Sequence, residues 1–290
     1  QADTELCGTE DGAAPLTLSS EKGHAELVKL LLKHGADINK QDSNGFTALY
    51  RAAYKGNLEV VRLLLDSRAD TELCEAYYGT TPLVKAAEKS RTDVIALLLD
   101  HGANVDNPKI NGRTALYMAA ENGRMAVAKL LLDHNANTEL CTIETGTTPL
   151  IIASQRGLAS MAALLLSFGA EVNAQKANGR TALYLAAESG HLDVAGVLLE
   201  HQADPELCVA NGGWTPLIRA AQEGFADLVA LLLEYGAEKD TAVAGWTALM
   251  FAEEAGHADV AALLQDDQSY FQGDFNSTFE ASSITDLSGW

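Results

Sequence analysis

The chain has 290 residues, 47% of them hydrophobic, with a mean hydropathy of -0.01. That is enough to bury a substantial core and excludes intrinsic disorder for most of its length. Forty acidic residues against twenty basic ones give a formal charge of -20, which repels phosphate backbones and anionic membrane surfaces, so neither nucleic acid nor a membrane is an expected partner. Every leucine cluster is broken within about five residues by charge or glycine, far short of the roughly 18 to 20 apolar residues of a membrane span.

Taken in chain order, one pattern returns. Thr47-Ala48-Leu49 recurs at Thr81-Pro82-Leu83, Thr114-Ala115-Leu116, Thr148-Pro149-Leu150, Thr181-Ala182-Leu183, Thr215-Pro216-Leu217 and Thr247-Ala248-Leu249, with Ala14-Pro15-Leu16 as a weaker first copy. Behind most copies comes a pair of small residues such as Ala52-Ala53, then usually a glycine, then a Val and Leu cluster such as Val60 to Leu65. The spacing predicts two short helices and a turn per copy. The first helix is lined with alanine so that backbones approach closely, and the second is apolar almost all round because neighbours cover it on both sides.

These residues resemble the ankyrin repeat, whose pattern runs through Gly-x-Thr-Pro-Leu-His, paired alanines, Gly-His, a Val-Leu cluster and Gly-Ala-Asp. The resemblance covers about 265 residues in eight copies. It implies an all-α solenoid of paired short helices with hairpin loops, a non-enzymatic role in binding protein partners, and no cofactor. One departure recurs: the family's His after Leu is replaced by Tyr50, Val84, Tyr117, Ile151, Tyr184, Ile218 or Met250, which puts the polar bonding of that His in doubt but not the stacking.

A longer period is superposed. Ala2-Asp3-Thr4-Glu5-Leu6-Cys7 returns every 67 residues, ending at Cys74, Cys141 and Cys208, and alternates with copies that carry Asn-Gly at the hairpin tip, as at Asn44-Gly45. The Asn-Gly tips suit a tight turn with positive φ. The duplicated unit is therefore a pair of repeats. The opening fragment up to Cys7 reads as the tail of a repeat, implying more repeats upstream. In the last copy Glu253 and Gln265 replace a small residue and a leucine, so the array 1–265 ends in a more polar cap. Residues 266–290, with five acids, no Lys or Arg, and Phe271, Phe275 and Phe279 at helical spacing, read as a separate acidic aromatic tail that can order only against apolar surface.

Candidate chemistry dissolves into the repeat. Cysteines 67 residues apart lie about 20 Å apart in a stack, too far for a disulfide or a zinc site, so Cys7, Cys74, Cys141 and Cys208 are expected to be small apolar hairpin residues with free thiols. Free thiols suit a reducing, cytoplasmic compartment. His34, His101, His134 and His201 follow the second helix, while His24, His191 and His257 follow the interhelix glycine. No nucleophile, base and orienting acid converge, and no catalytic or metal residue is expected.

What remains is variable surface. The resemblance implies that partners meet the hairpin tips and the exposed side of the first helix, the concave face. There the tip column brings Phe46, Arg113, Arg180, Trp214 and Trp246, and the third hairpin adds Tyr77 and Tyr78. Exposed aromatics either bind a partner or pack on the next tip. A second column holds Tyr54 with Glu21, Glu88, Glu121, Glu188 and Glu254. Its carboxylates either steer a basic segment of a partner or form a solvated stripe partly neutralised by Arg113 and Arg180. A structural self-assembly element, stacking end to end through the open first repeat, is the rival reading.

Overall fold

A computed structural model describes residues 11–209 and 212–265. The described residues form eight helix pairs: α1 (Pro15–Lys22) with α2 (Ala25–Lys33), α3 (Ala48–Lys55) with α4 (Leu58–Asp66), α5 (Pro82–Glu88) with α6 (Thr92–Asp100), and α7 (Ala115–Glu121) with α8 (Met125–Asp133). They continue as α9 (Pro149–Gln155) with α10 (Ala159–Ser167), α11 (Ala182–Ser189) with α12 (Leu192–Glu200), α13 (Pro216–Glu223) with α14 (Ala226–Glu234), and α15 (Ala248–Ala255) with α16 (Ala258–Gln265). The last hairpin is regular enough to make two short antiparallel strands, β1 (Ala242–Val243) and β2 (Trp246–Thr247), with Val243 opposite Trp246.

The first helices stack in one layer, α1 on α3 through to α13 on α15, and the second helices form another. The recurring Thr explains where each first helix begins. Thr47, Thr81, Thr114, Thr148, Thr181, Thr215 and Thr247 are N-caps whose side chains accept a hydrogen bond from the backbone N–H three residues on, replacing a bond that a helix end lacks. Ala14 stands at that position in the first pair and provides no such cap. Helices of seven or eight residues are marginal alone, so packing must hold them. Ala52, Ala53, Ala86 and Ala87 are wholly buried between layers, as are Leu64, Leu98, Leu131 and Leu165 of the second helices.

Neighbouring repeats are also tied through polar groups. The side chain of Asn57 donates to the carbonyls of Ser20 and Glu21 at 2.8 and 2.9 Å. His191 and His257 reach the carbonyls of Gln155 and Gln222 at 3.2 and 3.1 Å. These rings lie over Gly157 and Gly224, where a Cβ would come within 2.8 and 2.6 Å of them. The other histidine class closes helices: Nδ1 of His34, His101, His134 and His201 stands 2.8 to 2.9 Å from the carbonyl four residues back. The histidines that mark repeat positions therefore act as caps and inter-repeat ties.

The hairpins form a ladder of their own. Backbone N–H groups of Ala76, Ile110, Ile143 and Ala177 donate to carbonyls of Asn44, Tyr78, Asn111 and Thr145 on the preceding tip, at 2.9 to 3.1 Å. At their base, backbone N–H groups of Asp70, Asn104, Asn137, Glu171, Asp204 and Glu238 donate to side-chain oxygens of the preceding repeat, alternately a short Asn or Asp and a longer Glu. The alternation follows the 67-residue period. A continuous hydrogen-bonded edge holds the hairpin tips in register.

Candidate functional site

The glutamate column is built from the last turns of the first helices, and four of its carboxylates, Glu21, Glu88, Glu121 and Glu188, are already engaged. Glu21 meets Arg51 and Lys55, both at 3.2 Å. Glu88 meets Lys85 at 2.8 Å and Lys109 at 3.0 Å. Glu121 pairs with Arg113 at 3.4 Å and, more loosely, Arg156 at 3.7 Å, and Glu188 with Arg180 at 2.9 Å and Arg219 at 3.0 Å. Burial raises the pKa of Glu88, but the ammonium groups of Lys85 and Lys109 outweigh that and hold it below the ordinary carboxylate range. Glu88, Glu121 and Glu188 are thus each bridged by two cations, several from the following repeat, and Arg113 and Arg180 are among them. Glu253 and Glu254, exposed on α15, have no ion pair among the described residues.

The cations in turn lie on aromatics. Arg51 stacks on Phe46 at 4.3 Å, Arg113 on Tyr117 at 5.1 Å and Arg180 on Tyr184 at 5.4 Å. Two of the tyrosines that stand in for the family's His therefore form a floor for the tip arginines. Burial pushes the hydroxyls of Tyr117 and Tyr184 up, so both stay neutral. Tyr54 is ringed by Lys55, Lys85 and Lys89 at 5.1 to 5.9 Å.

The aromatic tips divide into two kinds. Phe46 is half-buried against Tyr50, with ring centroids 4.8 Å apart. Trp214 is half-buried on Phe251, 4.9 Å away, whereas Trp246 touches the same ring at 5.5 Å and stays 42% exposed. Trp214 is thus mainly a packing residue. Trp246 joins exposed Met250 and the carboxylates of Glu253 and Glu254 around a shallow concavity.

At the other tip cluster, buried Glu75 accepts from the backbone N–H of Tyr77, Tyr78 and Thr80 and from the Thr80 hydroxyl, at 2.8 to 3.2 Å. Burial opposes its charge, yet those bonds leave its pKa lowered. The turn so fixed projects Tyr77 and Tyr78 outward, 70% and 66% exposed, and Ile110 and Ile143 continue the apolar row on the next two tips. Sequence reasoning passed over these isoleucines. Their position beside the turn glycines was the available signal, since a Cβ on Gly79 or Gly112 would lie 3.1 Å from their side chains.

Cys74, Cys141 and Cys208 are free thiols. They stand exposed on the hairpins; Cys7 lies outside the described residues, as do the opening fragment and residues 266–290. Among the described residues no group of three or more His, Cys, Asp and Glu is placed to hold a metal ion, and no helix is long and apolar enough to cross a membrane.

Comparison with known proteins agrees with this architecture. The family model for ankyrin repeats matches residues 1–74, 68–141, 135–208 and 207–276. The chain belongs to the ankyrin repeat family, whose arrays serve as protein interaction modules. It is 42% identical over 64 residues to the ankyrin repeat and SAM domain-containing protein 6 of Mus musculus and of Rattus norvegicus, a match that takes in 22% of this chain and 7% of those proteins. The crystal structure of the ankyrin repeat domain of Bcl-3, a member of the IkappaB protein family, superposes with a TM-score of 0.70 at 29% identity, covering 78% of this chain and 100% of that one.

Proposed function

We propose that the array is a non-enzymatic scaffold that binds a protein or peptide through its concave face and hairpin tips, inside the cell, where its exposed thiols stay reduced. The observation that carries this reading is large apolar surface held on a rigid frame: Trp246 and Met250 at one end, Tyr77, Tyr78, Ile110 and Ile143 on adjacent tips. Such side chains are costly to leave in water and contribute most when buried at an interface. A preorganised stack loses little entropy on binding. A basic residue flanking the partner's apolar anchor finds Glu253 and Glu254 beside Trp246, carboxylates without an ion pair among the described residues. Phe46, Tyr54, Glu88, Arg113, Glu121, Arg180, Glu188 and Trp214 act in this picture as the paired and stacked framework of the groove. Residues 266–290 are an accessory segment beyond the array.

The test is to isolate a partner with the full chain and measure dissociation from variants. Trp246→Ala and paired Tyr77→Ser, Tyr78→Ser changes should each speed release about tenfold, the loss of roughly 1.4 kcal/mol. A partner indifferent to both places its interface on the back of the stack. Self-assembly is the second reading, favoured by Leu27 and Leu30 of α2, 44% and 52% exposed on the outer face of the first pair. Mass by light scattering that grows with concentration, and stops growing in Leu27→Gln, Leu30→Gln, supports it; a constant monomer removes it.

A further inference from the structure

The 67-residue period relates Lys109 to Lys176 and Glu88 to Gln155. In the earlier unit Lys109 bonds Glu88 at 3.0 Å. In the later one the carboxylate has become a neutral amide, and Lys176, half-buried, has no ion pair among the described residues. The nearest carboxylate acting on it is Glu188, already shared by Arg180 and Arg219. Arg156, the residue after Gln155, keeps 57% of its side chain exposed and reaches Glu121 only at 3.7 Å. At the ion-paired positions of the columns and tips of repeats four to seven, with Lys176, five cations (Arg113, Arg156, Lys176, Arg180, Arg219) face three carboxylates (Glu121, Glu188, Glu223), while the hairpin bases carry acids such as Glu139 and Glu206. These positions hold more cations than carboxylates although the chain as a whole carries a net charge of -20.

We propose that this stretch, centred on Lys176 and Arg156, binds an acidic peptide segment of a partner protein, whose carboxylates take the place vacated where Glu88 becomes Gln155. The proposal rests on the reading of the concave face as a partner surface and names the chemistry it selects. A carboxylate there gains charge-assisted bonds from Lys176 and Arg156. Repeats stack about 10 Å apart, close to three residues of extended chain, so acids at every third position of a peptide along the groove meet successive repeats. A nucleic acid is disfavoured because its affinity depends on neutralising many phosphates, whereas the surplus here, five cations against three carboxylates, is two charges. At physiological salt the Debye length is about 8 Å, so the groove's own charges dominate over the distant acids of the back face.

The probes are three labelled heptapeptides, Glu-Gly-Gly-Glu-Gly-Gly-Glu and its Gln and Lys counterparts, titrated by fluorescence anisotropy into the full chain at fixed ionic strength. The Glu peptide should bind tightest. Lys176→Gln and Gln155→Glu should each weaken it about tenfold, the second by restoring the carboxylate of the earlier unit, while Lys33→Gln on α2 leaves it unchanged. Equal affinity for Gln155→Glu and the parent overturns the site. Tighter binding of the Lys peptide in the same groove overturns the acid preference and leaves partner binding standing. Absence of binding by all three also overturns the proposal, while the Trp246 and Tyr77 variants decide the broader reading separately. Binding of the Glu peptide only after Asp266, Asp267, Asp274, Glu280 and Asp286 are neutralised makes this chain's own segment the occupant, which overturns a partner bound in trans.

Discussion

Repeats three and four and repeats five and six are one pattern printed twice, 67 residues apart, and they differ in where polar groups find partners. In the first unit Glu88 joins two lysines, His101 caps α6 and Glu75 holds a turn. In the second, Gln155, Phe168 and Thr142 occupy those places, and the threonine alone keeps the local role, through Thr145 and Thr147. The capping threonines and most of the leucines are the same in both, Leu130 being replaced by Val197. The stack therefore fixes what every layer needs and leaves the groove free to diverge, and divergence shows as an unpaired cation.

The sharpest way to break this comparison is in the shared core. Leu98 and Leu165 are equivalent and wholly buried, so Leu98→Ala and Leu165→Ala should each cost about 2 to 5 kcal/mol in urea unfolding, with similar values. A clearly smaller cost for Leu165 would mean that α10 relaxes toward α8, where Met125, Leu158 and Met161 line a shallow concavity between them. The exchange of buried Val94 and Ile95 for Met161 and Ala162 would then be felt at the neighbouring leucine.

The lysines should behave oppositely. Lys109 and Glu88 are each about 15% exposed, so Lys109→Met leaves a half-satisfied carboxylate in the groove and should destabilise by about 1 kcal/mol. Lys176→Met removes a cation without a counterion and should be neutral or slightly stabilising. Their pH signatures differ as well. Glu88 is lowered when folded, so its contribution is present above the unfolded value of 4.5 and lost as pH falls through the folded one; Lys109→Met should flatten that loss. Lys176 is lowered below 10.5 by burial and by Arg180. Just below 10.5 the unfolded chain binds the proton that the folded chain has released, so stability rises with pH there. Urea midpoints in the acid and alkaline ranges check both signs, and an alkaline rise that persists in Lys176→Met would assign it to another group.

What was legible in the sequence is what acts locally. A threonine caps its own helix and a paired alanine marks its own contact, so period, helix pairs and cap positions could be read along the chain. The nearer partners of the glutamates, Arg113 of Glu121 and Arg180 of Glu188, were within reach of the sequence, but the second partner of each was not, because it stands 21 to 35 residues away, as Lys109 does from Glu88, Arg156 from Glu121 and Arg219 from Glu188. With the period known, the same register would have predicted the pairs and the gap at Gln155. Trp214 misled for a related reason: the ring that covers it, Phe251, belongs to the next repeat.

The smallest effect tests whether two different residues can close equivalent helices. In α6 the ring of His101 supplies Nδ1 to the Leu97 carbonyl at 2.9 Å, and a carbonyl can only accept, so that nitrogen carries the proton. In α10 the equivalent residue is Phe168, 42% exposed and unable to donate from its ring. The carbonyl is not abandoned: Ser167, in the place of Asp100, donates its hydroxyl to Leu164 at 2.7 Å. His101→Ala should then cost about 0.5 to 1 kcal/mol, and Ser167→Ala about as much, since each takes the second donor from a helix-end carbonyl that keeps only a backbone N–H, of residue 101 to Leu97 at 3.2 Å and of Phe168 to Leu164 at 3.3 Å. Phe168→His in the parent should gain almost nothing, because Leu164 is already served, yet in the Ser167→Ala background it should recover most of the loss. Thermal melts of the four variants read this as a cycle. Equal effects of Phe168→His in both backgrounds would show that ring and hydroxyl do not compete for one carbonyl, and the helix end of the second unit would need a different account.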